Sequence, residues 1–261
     1  MRNASILALL AVAYVASPVV AAIATFQQGV SAYTGTTNAN ILKVIPTTAI
    51  PGAAQVGTFN PGLPRVPLLR FNTSSIAGSY SQINSISLRF TSNGNFSFPI
   101  SVPVTWSLYE VTTANKDWTA NATWEKKVGL IAWAGTDGGS TSATDYVASP
   151  AATLSFTYDG VPANIPTLWT WNFSGSPAAL LALVNQWSGV QSSNAGLFLR
   201  LDDETQNGRY LDLFGTAATT PSNRPLLTIN YSIPEPAGLA LVAAGTLMGL
   251  HRRTKGQVKR L

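Results

Sequence analysis

Residues 85–90 read SISLRF, and this short stretch decides the fold class of the chain. Its apolar members, Ile86, Leu88 and Phe90, alternate with polar residues at every second position. Successive side chains of a strand point to opposite faces of a sheet. A period of two therefore predicts a strand with one buried face and one face toward solvent.

The same alternation recurs on both sides of this stretch. Upstream, Leu69 and Phe71 show the same alternation, and downstream residues 102–108, VPVTWSL, repeat it. Because Pro103 has no N–H to donate to a ladder, we predict an edge position for this second strand. A turn at residues 92–94 is expected to join the two strands as a hairpin. Residues 45–67 are rich in Pro and Gly without a sustained period, which predicts a long loop.

One segment departs from strand patterning and predicts a short helix. Ser176 is suited to cap it, Pro177 fits its first position, and Gly189 is expected to end it. Its apolar face is predicted from helical spacing to consist of Leu180, Leu181, Val184 and Trp187. With further strands at 197–201, 210–214 and 225–231, we predict about nine to eleven strands in two packed sheets. The expected fold is an all-β, jelly-roll-like β-sandwich with one short helix.

The N-terminus has the pattern of a secretory signal peptide. Arg2 precedes a mostly apolar run at 6–15, and Pro18 is followed by small residues at cleavage spacing, with Ala21 or Ala22 as the expected cleavage point. We therefore predict a signal peptide at residues 1–22 and an exported protein. The chain contains no cysteine, so the exported domain does not depend on disulfides.

The C-terminus, residues 233–261, combines three features in a fixed order. Pro234, Glu235 and Pro236 precede an uncharged apolar run at 237–250, and a basic tail with Arg252 and Arg253 follows. As a helix the run would cover roughly 21 Å, less than the roughly 30 Å hydrocarbon core of a bilayer. Such a segment makes a weak permanent anchor, although an ordinary tail anchor or a buried terminal helix remain alternatives.

This order of features resembles the PEP-CTERM sorting signal of bacterial surface proteins. The resemblance implies that an exosortase-type enzyme recognises the transmembrane tail and processes it near the Pro-Glu-Pro triplet. It also implies transient anchoring in the membrane, followed by release to the cell surface or extracellular matrix.

The basic balance of the chain comes from these two ends. Of the 16 Lys and Arg residues six lie in them, and of the 11 Asp and Glu residues one does, which leaves ten of each in the remainder. A nucleic-acid-binding domain needs a basic face. The composition therefore gives no support to a nucleic-acid partner.

Residues 108–125, LYEVTTANKDWTANATWE, carry the strongest resemblance within the exported part. A strand ending in Tyr-x-Val, then Asp-Trp and Thr-Trp, resembles the DNRLRE-type domain. The resemblance extends over residues 23–232, and it implies a jelly-roll-like sandwich related to carbohydrate-binding modules. Its further supports are Phe26 to Gly29, Trp133, Asp145, Trp169, Trp171, the stretch 196–200 and Arg224-Pro225.

Three tryptophans are the candidate carbohydrate-binding residues. Trp118, Trp124 and Trp133 fall on loop-like segments, and flat aromatic faces suit stacking on sugar rings. Packing in the core is the alternative for all three. Trp106, Trp169 and Trp171 belong to alternating strand positions and are expected to be buried.

Asp202, Asp203 and Glu204 form an acidic cluster and are the weak candidates for a Ca²⁺ site. Oxygen ligands on a loop can bind this ion. Because three successive side chains leave a turn in different directions, a charged hairpin turn is the favoured interpretation. Apart from Ca²⁺, no cofactor is expected.

A catalytic site is not evident from the sequence. The only histidine, His251, lies in the basic tail, and cysteine nucleophiles are absent. Glu110, Asp117 and Glu125 lie near one another along the chain and could serve glycoside hydrolysis. A lyase could instead use Tyr with Arg or Lys. The prediction is a noncatalytic surface or matrix protein with polysaccharide as the candidate ligand; the alternative is an exported polysaccharide-degrading enzyme, a lyase or a glycosidase.

Overall fold

The computed structural model describes residues 19–60, 62–188 and 194–234. Residues 1–18 of the predicted signal peptide, the predicted helix terminator Gly189 and the sorting tail from Glu235 onward lie outside the described residues. Within the described part, no helix combines the length and the apolar composition needed to cross a membrane. Residues 22–232 form one compact unit.

The described chain is mostly β-strand with a single α-helix, as the alternating patterns predicted. Short 3₁₀ turns connect several of the strands. The strands are β1 (Val19–Gln27), β2 (Thr36–Leu42), β3 (Ile50–Pro51), β4 (Ala54–Thr58), β5 (Pro64–Phe71), β6 (Gln82–Ser97), β7 (Pro103–Glu110), β8 (Lys126–Val128), β9 (Ile131–Ala132), β10 (Ala152–Thr157), β11 (Leu168–Asn172), β12 (Leu197–Leu201), β13 (Arg209–Leu213) and β14 (Leu226–Pro234); the helix is α1 (Pro177–Ser188).

Twelve of these strands form one large sheet. Its main path runs β1-β14-β6-β13-β4-β5-β12-β7-β10, with β11 beside β6, β2 beside β5 and β3 beside β2. The pairs whose register is assigned within the sheet are all antiparallel. The remaining strands, β8 and β9, form a separate hairpin.

Strand β6 is where the sheet changes direction. Its first part pairs with β14 and β11, and its second part pairs with β13, with a register shift between Leu211 and Leu213 inside that pairing. The sheet curls, so that the indole N–H of Trp171 on β11 donates to the carbonyl of Trp106 on β7 at 3.1 Å. The rings of Trp106 and Trp169 meet edge to face with centroids 5.5 Å apart. The prediction that Trp106, Trp169 and Trp171 are buried is confirmed.

Helix α1 begins as the sequence predicts. The Ser176 hydroxyl accepts the N–H of Ala179 at 3.3 Å, which satisfies one of the free donors at the helix start. The buried face of the helix differs from the predicted face at one position, because Leu183 is buried while Leu181 is only half-buried. The buried residues of the helix are Leu180, Leu183, Val184, Trp187 and Ser188.

Three expectations about the strands are wrong. Residues 45–67 are not one loop, because they contain β3, β4 and the start of β5. Pro103 does not mark an edge: β7 lies between β12 and β10, and Pro103 is accommodated as the first residue of the strand. The strands at 86–90 and 102–108 do not form a hairpin. Strand β6 continues through residues 92–94, and it does not pair with β7.

A long connection between β7 and β10, residues 111–147, lies over one face of β7 and β12 and is called the cover segment here. It contains the β8–β9 hairpin and little other regular structure. Its buried residues form a second core with Ile41, Leu68 and Phe198 of the sheet. This arrangement places the cover segment against Tyr109 of β7 and Arg200 of β12.

Candidate functional site

The three candidate sugar-stacking tryptophans are buried, which corrects the expectation that their loop segments expose them. Trp118 is 0 %, Trp124 6 % and Trp133 5 % exposed, and all three belong to the core under the cover segment. Their rings therefore have no free face for a sugar. The alternative interpretation, core packing, is the one that the structure supports.

Each of these tryptophans is fixed by specific contacts. The indole N–H of Trp118 donates to the carbonyl of Ala195 at 2.6 Å, and that of Trp133 donates to the carbonyl of Thr123 at 3.1 Å. A Cβ on Gly138 would lie 2.4 Å from the Trp124 ring, so the ring packs directly against that glycine. An irregular segment has no sheet face to bury, and these large rings supply its apolar area instead.

The acidic cluster does not form a joint cation site. Glu204 pairs with Arg200 at 2.8 Å, whereas Asp203 faces Arg209 at 3.9 Å and accepts the hydroxyl of Thr205 at 2.6 Å. Among the described residues, no group of three or more acidic or imidazole side chains is arranged to hold a metal ion. The turn is also not a hairpin, because β12 and β13 are not neighbours in the sheet.

Two members of that cluster nevertheless line a pocket of about 200 Å³ at the margin of the cover segment. This tyrosine pocket combines phenol, hydroxyl, guanidinium and carboxylate groups. Its volume is below the range of about 300–1,000 Å³ typical for drug-sized ligands, so it suits one small polar ring or part of a longer chain. The lining residues are Tyr109, Ser140, Tyr146, Arg200, Leu201, Asp202 and Glu204.

The pairing of β7 with β12 creates one wall of the tyrosine pocket. Tyr109 lies opposite Phe198, and Ser107 lies opposite Arg200, in the antiparallel register. Residues two apart on a strand share a face, so Tyr109 and Arg200 project from the same side of the sheet. Asp202 continues this side beyond the strand end, where its N–H donates to the carbonyl of Thr105 at 3.0 Å.

Tyr146 lines the pocket next to Tyr109, and the buried carboxylate of Asp145 holds it in place. One carboxylate oxygen accepts the side-chain N–H of Asn115 at 2.7 Å and the backbone N–H of Gly135 at 2.8 Å. The other accepts the backbone N–H groups of Thr136 at 3.2 Å and Thr141 at 2.9 Å. Asp145 is therefore a positioning residue, which fixes its neighbour against the ring of Tyr109 at a centroid distance of 4.8 Å.

Arg200 is the buried cation of the tyrosine pocket. Its guanidinium donates to the carbonyls of Gly138 and Gly139 at 3.3 and 3.2 Å and to Glu204, and it lies 5.5 Å from the Tyr146 ring centroid. These partners tie the cover segment to the end of β12. The ion pair also compensates the charge of Glu204, so the exposed carboxylate of Asp202 is the main charge presented to solvent at this rim.

The chemistry of Tyr109 follows from its surroundings. Burial is the main cause that raises the pKa of Tyr109 above its ordinary value, and the negative charge of Asp202 raises it further. A general base works best with a pKa near the operating pH. Tyr109 instead keeps its proton at neutral pH and acts as a hydrogen-bonding hydroxyl.

The three carboxylates considered for glycoside hydrolysis are not gathered in the tyrosine pocket. Glu110 follows Tyr109 on β7 and so points to the opposite face of the strand. Asp117 forms an ion pair with Lys127 at 2.7 Å. Glu125 lies at the start of the β8–β9 hairpin, where its N–H donates to the carbonyl of Pro46 at 3.1 Å.

A second candidate surface for a sugar is an exposed aromatic pair. Phe59 is half-exposed and lies 5.3 Å from Tyr210, measured between ring centroids, with the guanidinium of Arg65 5.3 Å from the Phe59 ring. This pair offers a comparison site for experiments on the tyrosine pocket.

No protein-family model matches the chain, and no curated protein is significantly similar to it. The site therefore has to be judged on its own geometry. Sequence reasoning identified Asp202 and Glu204 but missed Tyr109, Tyr146 and Arg200. The available signal was the period of two in residues 198–202, which places Phe198, Arg200 and Asp202 on one side of a strand and its continuation.

Proposed function

We propose that the chain is an exported bacterial protein of the cell surface or extracellular matrix, noncatalytic, with a domain that binds polysaccharide through the tyrosine pocket. The observation that carries the binding part is the pocket itself, in which two tyrosine rings in tilted contact lie beside a buried arginine and an exposed carboxylate. Such a mixture of flat rings and hydroxyl groups matches the apolar faces and hydroxyl edges of a sugar.

The domain is proposed to be a jelly-roll-like β-sandwich of the DNRLRE type. Support comes from the antiparallel curled sheet and from β6, whose two parts pair with different sets of strands. Strands that pass from one sheet to another by a bend or bulge are a known feature of packed β-sheets. A fold of this kind does not by itself identify a ligand.

A lyase is the second candidate function, and the contact between a tyrosine and an arginine in one pocket is the observation in its favour. For Tyr109, the other phenol of the pocket, the raised pKa speaks against a role as the base, since a phenol that keeps its proton is a poor base. A panel of polysaccharides, read both for retention by the protein and for released products, separates the two functions. Product release above that of a buffer control would refute the noncatalytic proposal.

The role of the pocket is tested with the double variant Tyr109→Phe, Tyr146→Phe, which removes both hydroxyls and keeps both rings. A net hydrogen bond contributes about 0.5–1.5 kcal/mol, so we expect polysaccharide retention to weaken about fivefold or more. Phe59→Ala is the matched control on the other aromatic surface and should leave retention unchanged. If Phe59→Ala weakens retention and the double variant does not, the ligand binds at the Phe59 surface and the assignment to the tyrosine pocket is wrong.

The sorting part of the proposal rests on the two chain ends, residues 1–22 and 233–261. In a host with an exosortase-type enzyme, the mature protein should end near Pro234 to Pro236 and lack the basic segment. Glu235→Ala should leave export intact and retain the protein in the membrane. Mass spectrometry of the surface-associated protein is the measurement, and recovery of an intact C-terminus at Leu261 would contradict the proposal.

A further inference from the structure

The β8–β9 hairpin projects an apolar tip into solvent. Leu130 is 93 % exposed and Ile131 54 % exposed. Val128 pairs with Ile131, so Gly129 and Leu130 form a two-residue connection. Gly129 has a φ of 52°, which glycine adopts readily at the first central position of such a turn. The turn thus requires Gly129, but nothing in its geometry requires a leucine next to it.

A second apolar turn is attached to the base of this hairpin. Val44 is 51 % exposed and Ile45 is also exposed. The N–H of Glu125 donates to the carbonyl of Pro46 at 3.1 Å, which ties this turn to the residue directly before β8. Leu130 and Ile131 are called the tip surface, and Val44 and Ile45 belong to the turn that this hydrogen bond joins to the base of the hairpin. Adjacent exposed apolar side chains mark interaction sites more often than isolated ones do.

The accessible charges near the tip surface are two cations and one carboxylate, because Lys127 is buried and paired. Residues 43–46 and 125–132 contain Lys43, Lys126 and Lys127 against Glu125 alone. Lys127 is paired with Asp117, but Lys43 is exposed and Lys126 is partly exposed. The accessible excess is one positive charge, whereas residues 23–232 as a whole contain ten cations and ten carboxylates. Apolar groups flanked by cations fit an interface that is apolar inside and negatively charged at its surface.

We propose that the tip surface inserts into the headgroup region of an anionic lipid bilayer. The turn is open to solvent, since a Cβ on Gly129 would find no neighbouring atom within 4 Å. Leu130 and Ile131 would enter the boundary of the acyl chains, and Lys43 and Lys126 would face the lipid phosphates. This contact uses no residue of the tyrosine pocket or of the sorting tail.

The absence of cysteine from the chain permits a direct test. Full-length protein carries a single environment-sensitive label, either at Ile131→Cys or at the control position Leu168→Cys, which is 50 % exposed on β11. Vesicles contain phosphatidylcholine with or without phosphatidylglycerol, together with nitroxide-bearing lipids that quench a label within the bilayer. The labelled protein is also examined without vesicles.

With anionic vesicles we expect quenching of the label at position 131 and none at position 168. Omission of phosphatidylglycerol should lower the affinity of the protein for the vesicles about fivefold for each cation that faces the lipid. Leu130→Asp in the Ile131→Cys background should abolish the quenching, and the label at 168 with Leu130→Asp reports whether the fold is retained.

Three results would overturn the proposal. The first is an unquenched label at 131, and the second is equal quenching at 131 and 168, which would mean that the tail alone determines proximity to lipid. The third is a shift of the label at 131 without vesicles that grows with protein concentration, which would identify a second copy of the chain as the partner.

Discussion

Replacement of Asp145 by Asn is the sharpest test of how the cover segment is held. The two side chains have the same shape, so the change removes charge and one acceptor without leaving a cavity. Each oxygen of Asp145 accepts two N–H groups. Whichever way the new amide is oriented, its NH₂ group faces two donors, and two hydrogen bonds become repulsive contacts.

The magnitude follows from these four contacts. A hydrogen bond to a charged group contributes about 1.5–3 kcal/mol, so two lost bonds cost about 3 kcal/mol at the lower bound. Relief from burying a charge offsets part of the cost, and the two weakened bonds add to it. We therefore expect Asp145→Asn to lower the free energy of unfolding by about 3 kcal/mol. For a domain of this size that corresponds to a melting temperature roughly 6–12 °C lower.

Urea unfolding, followed by tryptophan fluorescence, measures this loss because three of the seven tryptophans belong to the cover segment and lie in its core. Asp137→Asn is the matched control, since Asp137 belongs to the same segment and its side chain is exposed. The control should remain within about 0.5 kcal/mol of the original chain. If the free energy of unfolding of Asp145→Asn is within about 1 kcal/mol of that of the original chain, the four contacts do not hold the segment and the reasoning fails.

Three further predictions concern burial and capping. Burial raises the pKa of Glu110, so its contribution to stability is present below its ordinary pKa and is lost as the pH rises through the folded value. Glu110→Gln should therefore gain stability relative to the original chain as the pH is raised from acidic to neutral, measured by urea unfolding. A difference between the two proteins that stays constant with pH would contradict this. Trp118→Ala should cost about 3–5 kcal/mol of unfolding free energy, whereas an unchanged melting temperature would mean that the ring is not part of the core. Ser176→Ala should cost about 1 kcal/mol through the lost cap of α1, measured by thermal unfolding, and a loss below about 0.3 kcal/mol would show that the cap is unimportant.

The strands that the sequence predicted best are those whose alternation is long. Ile86, Leu88 and Phe90 are buried on β6, as their spacing requires. The missed strand β4 has a different character, because Gly57 interrupts its pattern. A Cβ on Gly57 would lie 2.0 Å from the backbone oxygen of Arg209, so glycine is needed where β4 approaches β13 closely. A glycine that suggests a loop can thus mark a tight contact between two strands.

The alternation of apolar and polar residues did not predict which strands pair with each other. Alternation shows that residues 86–90 and 104–108 are strands, but it carries no information about which strands lie beside them. Strand β6 pairs with β14, β11 and β13, all of which lie far along the chain. The same limit hid the tyrosine pocket, because Tyr146 meets Tyr109 only through the path of the cover segment.

The tryptophans show a related limit. Irregular segments usually lie on the surface, which made Trp118, Trp124 and Trp133 suitable candidates for a ligand. The cover segment is instead thick enough to have its own core, with indole N–H groups donating to backbone carbonyls. A loop with three tryptophans in sixteen residues predicts a buried layer better than it predicts a binding surface.

The two proposed contact surfaces depend on the same buried group. Asn115 donates to Asp145 and also accepts the N–H of Ala134, which follows the β8–β9 hairpin, at 2.9 Å. Asp145 itself precedes Tyr146 of the tyrosine pocket. If Asp145 anchors the whole cover segment, Asp145→Asn should weaken polysaccharide retention and lipid quenching of the label at Ile131 together, even where most molecules remain folded. Loss of only one activity would mean that the hairpin and the pocket wall are held independently.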